Sequence, residues 1–148
     1  MAMTSYKYIL VATDFSKPAK AAANRAVEIA TCFNARLCLL HVIEHFPEDA
    51  PNDWIAPEDH DPTEYLTERS MKALEKLNSQ LEYDNIETHV ILSEHSAAHE
   101  ITQYAKQNKA DLIVTGYHGH HGIAKVLGST ASSVMHRTEC DALSVRSF

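Results

Sequence analysis

The chain lacks the features that mark membrane, disulfide-rich and nucleic-acid-binding proteins. No hydrophobic stretch approaches the ~18 residues of a transmembrane helix, and the N-terminus shows no signal-peptide pattern. The three cysteines are an odd number without paired spacing, which predicts buried free thiols in a reducing compartment. The net charge of −7 argues against non-specific binding to nucleic acid or an anionic membrane surface. We therefore expect a cytoplasmic protein that binds neither.

Glycine is also scarce, and its distribution is informative. The chain has four glycines, and all of them lie between Gly116 and Gly128. This segment follows the apolar run 112–114, which predicts a buried strand, and precedes a helix predicted to begin near Ser129. Glycine lets the backbone come close to a ligand, and a helix N-terminus presents unpaired N–H groups and the positive end of the helix dipole. The segment therefore predicts a phosphate-bearing small molecule held mainly by backbone groups.

The rest of the chain predicts an α/β fold. Short apolar runs predict five strands at residues 8–12, 36–43, 88–92, 111–114 and 142–145. Capping residues and apolar periodicity predict helices at about 16–32, from 61, from 96 and at about 129–136. Because strands alternate with helices and are apolar on both faces, we expect a parallel sheet covered on both sides. The length of 148 residues favours a single domain, 1–148.

An acidic segment separates the second strand from the second helix. Residues 44–64 hold eight acidic residues, four of the five prolines and no Lys or Arg. This composition predicts a long, solvated connection. Two alternatives stay open, because long loops are often functional: a lid over a ligand, or a contact with a partner through Trp54.

No catalytic constellation is present. The chain has no Walker lysine motif, which excludes a P-loop NTPase, and no nucleophile elbow. Lys125 lies in the glycine segment and is interpreted as solvated, although it could offset phosphate charge. We therefore predict no catalytic residue and no enzyme, with weak ATP hydrolysis as an alternative.

Histidine is unusually frequent, at ten residues. His118, His120 and His121 lie in the glycine segment, and His95 and His99 are four residues apart. Neutral imidazole binds transition metals, but no Cys or carboxylate stands at zinc-ligand spacing, so no metal site is predicted. The histidines could instead be ordinary polar loop residues. Alternatively, His120 or His121 could contact phosphate when protonated, below about pH 6.5.

These motifs together resemble a known family, the universal stress proteins, and specifically the universal stress protein A group. The resemblance covers nearly the whole chain: the opening 9–16, His41-Val42 at the end of the second strand, 110–114, and Gly116-x2-Gly119-x8-Gly128-Ser129. The family's nucleotide-binding signature has nine residues in the long spacer, and this chain has eight. Because it keeps the glycines, its glycine motif resembles the branch of the family that binds nucleotide.

The resemblance implies a Rossmann-like sheet of five parallel strands in the order 3-2-1-4-5. It also implies a homodimer formed through the last strand, residues 141–146, an unknown protein partner, and ATP or another adenine nucleotide as ligand, with or without Mg²⁺. The implied ligand contacts are Asp14 with ribose or adenine, the Val42 backbone with adenine, Thr115, Gly116 and Gly119 along the ribose and phosphate path, and Gly128, Ser129 and Thr130 with phosphates.

Several of these residues also have a purely structural interpretation. Asp14 could form an Asx turn or cap a helix. Gly116 and Gly119, which could serve positive φ or the close approach of a ligand, could instead form a tight turn without a ligand. Residues 128–130 could serve ordinary N-capping. The leading hypothesis is a regulatory, nucleotide-binding stress-response protein; the alternatives are a stress-response homodimer acting through protein contacts alone, and a slow ATPase.

Overall fold

The computed structural model describes residues 5–44, 56–59, 61–118 and 127–147. Within these ranges, strands and helices alternate along the chain as the hydrophobic pattern predicts. The elements are β1 (Tyr8–Ala12), α1 (Lys17–Phe33), β2 (Arg36–Glu44), α2 (Pro62–Gln80), β3 (Ile86–Ser93), α3 (Ala97–Gln107), β4 (Leu112–Gly116), α4 (Ser129–Arg137) and β5 (Asp141–Val145). The predicted centres are confirmed, and β2, β3 and β4 run one to three residues further than their apolar cores.

All five strands are parallel, in the order β3-β2-β1-β4-β5, which confirms the expected topology. The central strand β1 pairs with β2 on one side and with β4 on the other. Strand order therefore reverses at β1, and the carboxyl ends of β1 and β4 lie side by side. In open parallel sheets, ligands bind at this switch point.

The alternation of side chains along each strand divides the core into two layers. Ile9 and Val11 of β1 belong to a layer that includes the alanines of α1 and the leucines of α2. Leu10, between them, belongs to the layer that includes residues of α3 and α4. Both layers consist mainly of aliphatic side chains, as expected for a sheet covered on two faces.

Side-chain caps start the first three helices where the sequence predicts them. Ser16 accepts a hydrogen bond from the amide of Ala19, and Asp61 accepts from the amides of Thr63 and Glu64. Ser96 accepts from the amide of His99. Each cap satisfies a backbone N–H that has no partner within its helix.

The prediction that all three cysteines are buried is wrong for Cys32. All three thiols are free, but Cys32 is exposed, Cys140 is half-buried and only Cys38 is fully buried. The buried face of α1 is set by Ala19, Ala22, Ala23, Ala26 and Ala30. The helical period places residue 32 away from that stripe and towards solvent.

The acidic segment lies mostly outside the described residues. Glu44 ends β2 and Pro62 begins α2, and between them only residues 56–59 are described. Trp54 and the predicted lid or partner contact therefore lie outside the described residues. Among the helices of the described ranges, none is long and apolar enough to cross a membrane.

Candidate functional site

The carboxyl end of β1 begins the site. The amide of Thr13 donates to the carbonyl of Leu40 at 2.9 Å, which holds the end of β1 against β2. The next residue, Asp14, is half-buried, and its Oδ1 accepts from the amide of Ser16 at 3.0 Å. The Asx turn considered for Asp14 is therefore present.

The backbone turns sharply at Phe15, a feature that the sequence did not reveal. Phe15 has φ of 64°, in the left-handed region, and its amide donates to Thr13 Oγ1 at 3.0 Å. Its ring lies against the imidazole of His41, with centroids 4.6 Å apart, and His41 Nδ1 is 2.8 Å from the Thr13 carbonyl. A bulky residue in this region costs about 1–3 kcal/mol, and such strain is often found at functional sites.

At the end of β2, Val42 is half-buried and packs against the core layer that includes α3 and α4. Its partner in the sheet register is Ile91 of β3. Val42 therefore lies one strand away from Asp14, at the same carboxyl edge of the sheet.

Gly116, at the end of β4, is required by helix packing. A Cβ atom at this position would lie 2.8 Å from the carbonyl carbon of Pro18 and 3.0 Å from the amide nitrogen of Ala19. Gly116 does not have positive φ, and neither does any other described glycine. The suggestion that Gly116 serves positive φ is therefore wrong. The close approach that excludes a side chain is made by the first turn of α1.

The neighbouring residue, Thr115, is buried and bonded to the last strand. Its Oγ1 lies 3.2 Å from Oγ of Ser144, its register partner on β5. On β4, Thr115 lies on the same face as Ile113, whereas Val114 and Gly116 lie on the opposite face. The hydroxyl of Thr115 therefore already has a protein partner.

A backbone bond joins the two ends of the glycine segment. The amide of Gly128 donates to the carbonyl of Tyr117 at 2.7 Å, and the amide of Tyr117 donates to Val145 at 2.9 Å. The guanidinium of Arg146 lies 4.1 Å from the centroid of the Tyr117 ring. These contacts hold the start of α4 close to the ends of β4 and β5.

The start of α4 differs from the starts of the other three described helices. Its N-cap is Gly128, which has no side chain to accept from the first amides. The first intrahelical bond of the standard type runs from Ser132 N–H to Gly128 C=O at 2.9 Å. The amides of residues 129–131 therefore have no acceptor within the helix, and Ser129 and Thr130 are exposed. Backbone N–H groups and the positive end of a helix dipole meet here, as an anion requires.

Gly119, His120, His121 and Lys125 lie outside the described residues, so their predicted roles stay predictions. The structure brings the other candidates to one edge of the sheet. We use the name switch-point crevice for the space bounded by the carboxyl ends of β1 and β4 and by the start of α4, at Asp14, Gly116 and residues 128–130.

A separate cavity of about 250 Å³ lies at the opposite ends of α3 and α4. It is lined by basic residues such as Lys106, Lys109 and Arg137, and Lys106 is 3.4 Å from the carboxylate of Glu139. The C-terminal ends of two helices meet there, and their negative dipole ends oppose anion binding. The cavity is therefore a weaker candidate for a phosphate site than the start of α4.

Among the described residues, the titratable groups with clearly shifted pKa values lie away from the switch-point crevice. Burial raises the pKa of the Cys38 thiol to about 11. Burial, together with hydrogen bonds to Glu87 and Tyr104, raises the pKa of the Tyr8 hydroxyl. A thiol whose pKa is raised is a weak nucleophile, because the thiolate is the reactive form. This cluster offers no activated nucleophile.

Comparison with known proteins gives a consistent result. The sequence profile of the Universal stress protein family matches residues 5–146. The chain is 34% identical to Universal stress protein A homolog 1 of Coxiella burnetii, over 95% of this chain and 96% of that protein. It is 32% identical to a universal stress protein of Methanocaldococcus jannaschii, over 95% of this chain and 82% of that protein.

Solved structures agree with these sequence matches. Universal stress protein UspA from Lactobacillus plantarum superposes with a TM-score of 0.75 at 29% identity, covering 97% of this chain and all of that one. A universal stress protein in complex with cAMP superposes with a TM-score of 0.65 at 26% identity, covering 98% of this chain and all of that one.

Proposed function

Because the chain belongs to the universal stress protein family, we propose that it binds an adenine nucleotide, with ATP as the first candidate, in the switch-point crevice. The start of α4 carries this proposal. Three successive amides there have no acceptor within the helix, and the N-cap residue has no side chain that could accept from them. Phosphate oxygens are the acceptors that such an arrangement suits.

The residues at the end of β1 fit the other half of a nucleotide. Asp14 is a half-buried carboxylate at the switch point, and one of its oxygens accepts from Ser16. Carboxylate oxygens accept hydrogen bonds, as ribose hydroxyls and the adenine amine require. The Val42 backbone lies on the neighbouring strand, where the resemblance places the adenine. The solved relative that contains cAMP supports an adenine nucleotide as the class of ligand.

The proposed role is regulatory rather than catalytic. Such a role requires the nucleotide to bind two conformations of the protein with different affinities. Ligand occupancy then alters the surface that a protein partner recognises. We place the protein in the cytoplasm as a homodimer, since its three thiols are free and β5 is an edge strand. An edge strand can extend its sheet by pairing with a second copy.

The decisive experiment removes a single amide from the phosphate site. Proline is favoured at the first helical position, where no intrahelical bond is lost, and Gly128 has the extended ψ of 157° that a residue before proline prefers. Ser129→Pro should therefore delete one N–H donor without disturbing α4. Calorimetric titration with ATP, with and without Mg²⁺, should show binding about 10–100-fold weaker than in the parent, since a hydrogen bond to a charged group contributes about 1.5–3 kcal/mol.

The matched control is Ser129→Ala, which keeps the amide and removes only the hydroxyl. It should bind ATP with an affinity within about threefold of the parent, because the proposal assigns the phosphate to the backbone. Asp14→Asn is a second test: the amide oxygen of Asn can still accept from Ser16, while the charge is lost. Its binding should weaken with little change in stability. Absence of binding by the parent at millimolar ATP would contradict the proposal.

A further inference from the structure

Two histidines and a carboxylate meet at the turn between β3 and α3. β3 ends at Ser93 and α3 begins at Ala97, with Ser96 as its N-cap. His95, His99 and Glu100 each offer one ligand atom here, and these three atoms lie within 4.8 Å of one another. The two imidazole rings have centroids 4.9 Å apart. His95 is exposed, and the other two residues are half-buried.

The buried hydroxyl of Ser93 bonds to two members of this cluster. Ser93 Oγ accepts from the amide of His95 at 2.8 Å and donates to Glu100 Oε1 at 2.6 Å. Ser93 is only 5% exposed. Its hydroxyl therefore fixes one oxygen of the carboxylate and the backbone of one histidine at the same time. Partners of this kind orient metal ligands in proteins.

We propose that His95, His99 and Glu100 bind a divalent transition-metal ion of the zinc class. Two imidazole nitrogens and one carboxylate oxygen are a donor set that zinc accepts, with the fourth tetrahedral position left to water. Ligands bound to one zinc ion at about 2.0–2.2 Å lie roughly 3.3 Å apart in tetrahedral geometry. The donor atoms need to approach one another by at most about 1.5 Å to reach this spacing, and the exposed ring of His95 has the most room to rotate.

The α3 dipole opposes cation binding at this site, and nearby carboxylates offset the dipole. The positive end of the α3 dipole disfavours a cation near its first turn, but this effect is screened by solvent and falls off within that turn. The carboxylate of Glu100 supplies the compensating charge, and the exposed Glu94 adjoins His95 in the chain.

The site is independent of the switch-point crevice. In the sheet, β3 is separated from β1 by β2, so the two strand ends lie about 10 Å apart at the usual strand spacing of about 4.8 Å. Loss of metal binding therefore need not alter nucleotide binding, and the two proposals can fail separately.

Calorimetric titration of the untagged, chelator-treated full chain with Zn²⁺ tests the inference. The parent should bind one equivalent with micromolar affinity. His95→Ala should weaken this binding at least about tenfold, since it removes a direct ligand from an exposed position. Glu100→Gln should do the same while the Gln oxygen still accepts from Ser93, so that the carboxylate is tested without loss of the local fold.

The matched control is His136→Ala, which removes an exposed histidine of α4. It should titrate like the parent. Zinc binding that survives in His95→Ala, or that is lost in His120→Ala instead, would overturn the assignment, as would a parent that binds no Zn²⁺. Circular dichroism of each variant ensures that a lost ligand is not confused with a lost fold.

Discussion

A Cβ atom on Gly116 would lie 2.8 Å from the carbonyl carbon of Pro18. The end of β4 and the first turn of α1 therefore pack backbone against backbone. Gly116, which the glycine pattern assigns to ligand binding, is therefore also required for the packing of β4 against α1. Variants of Gly116 consequently report on stability as well as on binding.

Gly116→Ala should destabilise the protein by about 1–3 kcal/mol, because the new methyl group overlaps backbone atoms that cannot rotate away. Urea unfolding followed by circular dichroism measures this change. Gly128→Ala is the comparison, since φ of −63° at Gly128 is accessible to alanine. Equal unfolding midpoints for Gly116→Ala and the parent would mean that α1 moves freely away from β4.

Phe15 provides a second test of backbone strain. Its φ of 64° is unfavourable for any residue with a Cβ atom and acceptable for glycine. Phe15→Gly and Phe15→Ala both remove the ring that contacts His41, so their difference isolates the backbone. We expect the glycine variant to be more stable than the alanine variant by about 1 kcal/mol, the reverse of the usual order. A more stable alanine variant would show that this turn is not left-handed.

The proposed dimer can be tested at the two edge strands. Leu143 of β5 is 36% exposed and Leu92 of β3 is 49% exposed. If two copies pair through β5, Leu143→Glu should place like charges at the interface and convert a dimer to a monomer in sedimentation or light scattering. Leu92→Glu, the matched change on the opposite edge strand, should leave the mass unchanged. Dissociation by Leu92→Glu alone would move the interface to β3.

Alkaline pH should destabilise the protein through Cys38. Its pKa rises from 9.0 to about 11 on folding, because burial disfavours the thiolate. Because the folded state favours the neutral thiol, the contribution of Cys38 to stability is fully present below pH 9. It is lost as the pH rises from 9 towards 11. The free energy of unfolding should therefore fall over this window, by up to roughly 3 kcal/mol from this group.

Cys38→Ala should flatten the pH dependence between 9 and 10, before the Tyr8 hydroxyl contributes. Cys32→Ala, at an exposed thiol, should keep the slope of the parent. With a thiol reagent at neutral pH, Cys32 should react quickly and Cys38 only on unfolding. A slope that Cys38→Ala leaves unchanged would assign the alkaline loss to other groups.

The order and type of the elements follow from the sequence alone. Apolar runs flanked by caps at Ser16, Asp61 and Ser96 specify where strands and helices begin, because burial and capping act over a few residues. The resemblance carried by the glycine segment supplied the strand order and the family. The start of α4 was also predictable, since a glycine before Ser-Thr gives a helix N-terminus without a side-chain cap.

Which side chains and backbone groups meet in space depends on the tertiary structure. Nothing local shows that Gly116 faces Pro18, that Phe15 is left-handed against His41, or that Ser93 joins His95 to Glu100. The sequence spacing of His95 and His99 indicated a pair of imidazoles but missed Glu100 as the third member of the cluster. These relationships depend on the packing of elements distant in the chain, or on how a turn directs its side chains, and periodicity along one segment carries no information about either.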